Sequence, residues 1–202
     1  FSQKLEDDLK RRDFTVNAMA GSITGTAESA TIEVIDPFEG HSDLEKKLLR
    51  AVGDPEKRFS EDGLRLMRAI RLIVELSHPK AQEPDWSIEA KTMEAIQKSS
   101  GLLSHVASER IRDEFSRIIL SHYPSQGVVL LYETGLLQHI IPELIEGVGV
   151  TQNLHHIYTV WEHNLRALDY AAEEKWSLIV RLGALFHDIG KPRSKVGDGP
   201  DS

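Results

Sequence analysis

The chain has 202 residues, with 24 Lys and Arg against 32 Asp and Glu and a formal charge of -8. That length leaves room for one or two ordinary domains with a sizeable core, and the acidic balance excludes a protein coated in basic residues while still allowing a local cluster of Lys and Arg that meets nucleic acid. The lack of cysteine excludes a disulfide framework, a thiolate zinc site and a cysteine nucleophile, and with no signal peptide and no apolar run near the roughly 18 residues of a membrane span it points to a soluble, cytoplasmic protein.

The opening Phe1-Ser2-Gln3-Lys4-Leu5 has no initiator methionine and reads as the middle of a longer polypeptide. Between Asp7 and Ala20, the adjacent Arg11 and Arg12 are followed by Asp13 and, four residues on, by Asn17. A helix here puts Asp13 and Asn17 on one face, where the arginines neutralise phosphates and the two polar groups contact sugar hydroxyls or order the arginines. A capped surface helix with Phe14, Val16 and Met19 turned inward fits the same spacing. The β-branched run Thr31 to Asp36, stopped by Pro37, predicts a strand, paired in a hairpin with a strand near Ala18 to Ile23 across the polar stretch Gly21 to Ser29. Asp36-Pro37-Phe38-Glu39-Gly40 is a turn, and Ser42-Asp43-Leu44-Glu45 has the pattern of a capping box opening a short helix.

Gly53-Asp54-Pro55 breaks that helix before the stretch on which the rest of the chain is organised, Ser60 to Arg71. As one helix capped by Ser60, it strings Asp62, Arg65, Arg68, Arg71 and Glu75 into a polar stripe at steps of three or four. Leu66, Met67, Ala69, Ile70, Leu72, Ile73 and Val74 make its other faces apolar, so neighbours pack on most sides and the stripe lines something. Arginine's fork of donors beside an aspartate's acceptors matches the edge of a nucleobase and holds phosphates; a solvated, salt-bridged face is the plainer reading of the same periodicity. Ile88 to Gln97, Glu109 to Leu120 and a segment from Gly127 to Gly135 have helical spacing, Leu136 to Leu144 closes with a proline, and Ser77 to Ser87 is the loosest loop.

A second constellation begins at His155-His156 and runs to His163, and a later helix carries His187-Asp188 ahead of Gly190-Lys191-Pro192. His163, His187 and Asp188 supply imidazole and carboxylate ligands suited to a divalent metal. Adjacent His187 and Asp188 reach one ion only near a helix terminus, which Gly190 and Pro192 predict.

Taken together, Asp8 to Ala18, Asp36-Pro37-Phe38-Glu39-Gly40 with Asp43-Leu44, Glu61-Asp62-x-x-Arg65-x-x-Arg68 and Glu109-Arg110-Ile111 resemble, in order, the motifs of bacterial class II tRNA nucleotidyltransferases and their poly(A) polymerase relatives. The C-terminal part is similar to the HD domain appended to many members. The resemblance implies a mainly α protein: the C-terminal part of a nucleotidyltransferase head with a small β-hairpin remnant (1–54), a helical neck and body that recognise nucleotide and RNA (55–150), and part of an HD domain (151–202). It implies that Arg12 helps hold a triphosphate, with Arg11, Asp13 and Asn17 shaping the sugar and phosphate pocket. Asp62 and Arg65 read the base of CTP or ATP, and Arg68 and Arg71 continue the stripe towards the nucleotide and its supports.

The partners implied are ATP, CTP and the tRNA 3′ end. The cofactor implied is Mg2+, held by paired aspartates of a head motif that these residues lack, together with a divalent metal at His163, His187 and Asp188. The expected activity is addition of CCA, or part of it, to tRNA without a nucleic-acid template; A-only addition and poly(A) synthesis are close variants. A metal-dependent HD phosphohydrolase is the alternative of another class, and a non-catalytic RNA-binding module is the third. The 202 residues alone are expected to polymerise nothing.

Overall fold

The computed structural model describes residues 5–24, 31–151 and 157–194. It is mainly helical, as the patterning predicts. The elements in chain order are α1 Leu5–Leu9, β1 Ala20–Thr24, β2 Thr31–Ile35, α2 Gly40–Glu45, β3 Leu48–Leu49, α3 Pro55–Glu61, α4 Leu64–Leu76, β4 Ser87–Ile88, α5 Ala90–Ser99, α6 Ser108–Leu120, α7 Pro124–Glu133, α8 Pro142–Ile145, α9 Val160–Glu173, α10 Leu178–Phe186 and α11 Lys191–Ser194. Strands β1 and β2 form the expected antiparallel hairpin, Ala20 opposite Ile35 and Thr24 opposite Thr31. Phe1 to Lys4, the remainder of the Gly21 to Ser29 loop, and His155-His156 lie outside the described residues.

Helix α4 is the centre of the bundle. Leu66, Met67, Ile70, Ile73 and Val74 are buried on it, and each contributes about 1.5–3 kcal/mol by leaving water. They pack against α6 and α7, whose Phe115, Ile118, Val128 and Leu131 complete the same core.

Four expectations about local structure are corrected. Ser60 to Arg71 is not one helix: α3 is capped by Asp54, whose side chain accepts from Lys57 N, and ends at Glu61, where Asp62 turns extended (φ -156°, ψ 107°). Gly63 follows because a Cβ there would lie 2.9 Å from the Leu102 carbonyl oxygen. Ser42 caps nothing; the start of α2 is capped from outside by Asp36, whose carboxylate accepts from Gly40 N and His41 N at 2.8 and 2.9 Å. The box fails because the helix has already begun at Gly40, which puts Ser42 inside it; Asp43 is withdrawn into the core, accepting from Thr15 Oγ1 at 2.6 Å and from Arg50 Nε at 2.9 Å. Residues 13–17 form no α-helix; Phe14 bridges Ala51 and a 3-10 turn, Thr15–Asn17, follows. Ile88 belongs to β4, paired in parallel with β3, so α5 starts two residues later, capped by Glu89.

The Ser77 to Ser87 loop is tied down at several points. Tyr123 Oη donates to the carbonyls of His78 and Ala81, at 2.5 and 2.9 Å, and Lys47 pairs with Asp85. Helix α9 opens on a reciprocal cap between Thr159 and Glu162. Its partner α10 is fastened to the body by Arg181. That buried guanidinium donates to the carbonyls of Ile119 and Ser121 at the end of α6, both at 3.0 Å, and to the Trp176 carbonyl at 3.0 Å.

Gly127 lets α7 lie close against α6: a Cβ there falls well inside the van der Waals contact distance of Ile118 Cγ2 and lies 3.4 Å from Val74 Cγ1. Gly127→Ala is expected to cost about 1–3 kcal/mol by overpacking. Urea titration checks this, and the same change is expected to cost less in an Ile118→Ala background, because the two sites share one contact.

Candidate nucleotide site and a His-Asp cluster

The break after Glu61 splits the predicted stripe into separate jobs. Asp62, freed from helical geometry, accepts from Leu64 N at 3.1 Å and from both terminal nitrogens of Arg110, at 2.8 and 3.3 Å. Its side chain remains 32% exposed, so the carboxylate is oriented without being sealed. Burial pushes the Asp62 carboxyl up, but the Arg110 and Leu64 hydrogen bonds outweigh it and hold the group below the usual carboxylate range.

One turn on, Arg65 is fixed by three acceptors: the Arg58 carbonyl at 2.8 Å, Glu61 Oε2 at 2.7 Å and the Arg11 carbonyl at 3.0 Å. Glu61 also pairs with Arg58 at 2.6 Å. Arg58 is buried and donates to the carbonyls of Val52 and Lys10, so the start of the chain is clamped onto α3.

Arg68 points to the hairpin side. Its Nε lies 2.5 Å from Asp13 Oδ2, while Asp13 Oδ1 accepts from Asn17 Nδ2 at 2.8 Å and from Phe14 N at 3.1 Å. Asp13 and Asn17 therefore meet as predicted, through a 3-10 turn instead of a helix face. Burial raises the Asp13 carboxyl, and Arg68 and Asn17 together hold it below its ordinary value.

Arg71 leaves this group. It is buried, donating to Glu75 Oε2 at 2.7 Å, with Nε 2.6 Å from Glu114 Oε2. Its place is that of a support inside the bundle. Arg12 is exposed and pairs with Asp8 at 3.0 Å. The Arg11 side chain lines a cleft of about 560 Å3 with Lys10, Phe38, Lys57, Arg58 and Glu61.

The structure thus brings Asp62, Arg65 and Arg11 to one end of α4 and Asp13, Asn17 and Arg68 beside them. Arg58, Glu61 and Glu114 are parts of the network that periodicity does not single out. The signal for Arg58 and Glu61 was present in the spacings Arg58 to Glu61 and Glu61 to Arg65, three and four residues apart, but apart from Gly63 nothing in the sequence points to a turn between Glu61 and Arg65.

At the other end of the molecule, His163, His187 and Asp188 converge. His163 Nε2 lies 2.9 Å from His187 Nε2, and Asp188 Oδ2 lies 3.5 and 3.4 Å from those two nitrogens. His187 Nδ1 is 2.8 Å from the Ala184 carbonyl; a carbonyl only accepts, so Nδ1 carries the proton and Nε2 presents its lone pair to the cluster. Ligand bonds of about 2.0–2.2 Å place donor atoms roughly 3–3.5 Å apart around one ion, so this donor set fits a divalent metal. The helix terminus comes earlier than Gly190 and Pro192 suggested: α10 ends at Phe186, and Pro192 lies within α11.

Comparison with known proteins matches residues 1–50 to the poly A polymerase head domain and residues 85–147 to the probable RNA and SrmB-binding site of polymerase A. The A-adding tRNA nucleotidyltransferase of Deinococcus radiodurans is 37% identical over 98% of this chain and 43% of its own length. The chain belongs to the tRNA nucleotidyltransferase and poly(A) polymerase family. Another member, the CCA-adding enzyme of Pediococcus pentosaceus, is 44% identical over 69% of this chain and 31% of its own. Among solved structures of the family, the Bacillus stearothermophilus CCA-adding enzyme in complex with CTP superposes with a TM-score of 0.61 at 32% identity, covering 94% of this chain and 41% of that one. The chain therefore spans less than half the length of each of these three relatives.

A pH dependence follows from the carboxylates of this family member. Asp13, Asp43 and Asp62 all have native values held below those of free carboxylates. Their contribution to stability is complete above the unfolded-chain value of about 3.9 and is lost as pH falls through the lower native values. Arg110→Ala is expected to raise the Asp62 midpoint, read by NMR titration of the carboxyl carbon, with the Asp13 midpoint unmoved.

Proposed function

We propose that this polypeptide is the nucleotide-selecting and RNA-holding part of a tRNA nucleotidyltransferase that adds CCA, or part of it, to tRNA 3′ ends from CTP and ATP without a nucleic-acid template. The observation that carries this reading is the pairing at the head of α4: an ionised Asp62 oriented by Arg110, next to an Arg65 whose guanidinium is pinned by three oxygens. Cytosine and adenine each carry an exocyclic amino donor, N4 and N6. Asp62 accepts from that amine, and Arg65 donates to the acceptor atoms on the same edge. Uracil and guanine put a carbonyl where the amine would be, and a carbonyl facing the Asp62 carboxylate leaves two acceptors opposed without a proton.

Around this pair, Asp13, Asn17 and Arg68 form the wall expected to meet sugar and phosphate, and Arg11, Lys10 and Lys57 add cations along the neighbouring cleft. The names of the relatives, a CCA-adding enzyme held with CTP and an A-adding enzyme, support the same substrates. A-only addition and poly(A) synthesis use the same base-reading pair, and the mass of the product made from tRNA ending before, within or after CCA separates them. The magnesium expected at a head motif is not assigned to the carboxylates on this face, which are paired with guanidinium groups, Asp13 with Arg68 and Asp62 with Arg110. No step of the transfer is derived through that ion from these residues.

The His163, His187 and Asp188 cluster favours a second activity, that of an HD-type metal site. A divalent ion held there would supply an activated water for phosphoester hydrolysis. His187 and Asp188 would hold the ion from the end of α10 and His163 from α9, with the His187 ring kept in register by the Ala184 carbonyl.

In the full-length protein, Arg65→Ala is expected to lower kcat/KM for both CTP and ATP by at least about tenfold, since each 1.4 kcal/mol of lost hydrogen bonding is a factor of ten. Asp62→Ala is expected to change the CTP to ATP preference as well. Unchanged incorporation of both nucleotides by Arg65→Ala refutes base reading at this site. The 202-residue polypeptide alone, with magnesium, CTP, ATP and tRNA, is expected to give no product above background; ladder formation on a sequencing gel is the contrary result.

A further inference from the structure

Asp188 Oδ2, the oxygen nearest both imidazole nitrogens, also accepts from Lys191 Nζ at 2.7 Å. The ammonium therefore stands at the carboxylate lone pairs that a metal ion would need. Its position is set by the backbone. Lys191 N donates to the Asp188 carbonyl at 3.0 Å, and α11 is held against the body by Arg193, which makes two hydrogen bonds to Glu146 at 2.7 and 2.6 Å. At this range an ammonium and a divalent ion repel each other strongly in a partly desolvated site. The Lys191 side chain is 45% exposed, so it can swing into solvent without opening the core.

We propose that Lys191 is the resident monovalent cation of this cluster. It neutralises Asp188 until a divalent ion binds, leaves the carboxylate when one does, and then stands beside the ion as the seat for a phosphate oxygen. The inference rests on the metal reading of His163, His187 and Asp188. It makes Lys191 a positioning residue with two opposite effects: it weakens binding of the metal alone, and it makes metal and phosphate favour each other's binding, a reciprocal coupling.

The test is titration of the full-length protein with Mn2+, following free Mn2+ by electron paramagnetic resonance, with and without inorganic phosphate. Wild type, Lys191→Met, Lys191→Arg and His187→Ala are compared. Lys191→Met is expected to bind Mn2+ about tenfold more tightly than wild type, within the usual range of coupling between sites. Lys191→Arg is expected to stay near wild type because it keeps the charge. Phosphate is expected to tighten Mn2+ binding in wild type and to leave Lys191→Met unchanged.

Equal Mn2+ affinity and equal phosphate response in wild type and Lys191→Met overturn the role of Lys191 while leaving the metal site standing. Tightening by Lys191→Arg as large as that by Lys191→Met overturns it too, since charge would not be the cause. Titrations of wild type and Lys191→Met that cannot be told from His187→Ala overturn the metal reading and this inference with it. If Lys191→Met loses its thermal transition, Lys191→Gln carries the same comparison.

Discussion

The structure turns on the interruption between Glu61 and Leu64. A continuous helix would carry Asp62 and Arg65 down one face and leave both to water. The turn at Asp62 and Gly63 instead lets α3 and α4 meet at an angle, with Gly63 pressed against the Leu102 carbonyl. Glu61 then serves both Arg58 and Arg65 from the end of α3, while Asp62 is swung across to Arg110 on α6. Three parts of the chain, residues 10–11, α3 to α4, and α6, are locked by charge-assisted bonds around two side chains that stay accessible. A fixed geometry of that kind is what recognition by a protein edge requires, because a floppy arginine would lose on ordering what it gained on binding.

The burial of Arg71 shows how a stripe can divide. Arg65, Arg68 and Arg71 follow one another at steps of three, yet they serve different neighbours because three elements pack on successive turns of α4. Arg68 meets Asp13 and Arg71 meets Glu114 on α6. Breaking a buried pair such as Arg71 with Glu114 is costly, about 3–5 kcal/mol when one charge is left unpaired. That is a structural role, and it braces from behind the end of α4 beside which Asp62 and Arg65 lie.

Much of this was legible in the residues. The hairpin, α4, α6 and α7 follow from apolar period and β-branched runs, and the turn at Gly135 falls where the sequence puts it. The meeting of His163 with His187 and Asp188 was legible through their residue types, although they come from two helices. What the sequence did not show were long-range partners. Asp43 looked like a helix-cap neighbour because Ser42 and Glu45 flank it, whereas it is claimed by Thr15 and Arg50. The helix predicted over Asp13 to Asn17 gave way to a bridge with Ala51, since Thr15 N and Val52 N find acceptors across that bridge, the Arg50 and Asp13 carbonyls. The break at Asp62 was masked by good helix formers on both sides, and only Gly63 hinted at it.

Arg181 bears on how the molecule can be cut. Its guanidinium closes the last turn of α6 and the last stretch of α9 at once, a task that suits a planar fork of donors and that a lysine ammonium, a point charge with three donors, matches poorly. Excising the chain after residue 150 would strip the Ile119 and Ser121 carbonyls of their donor and uncover the side of α6 on which α10 lies. A boundary drawn between body and C-terminal helices therefore cuts through packed contacts. For dissection and crystallisation, a piece that keeps these seams closed carries α9 and α10 together with α4, α6 and α7.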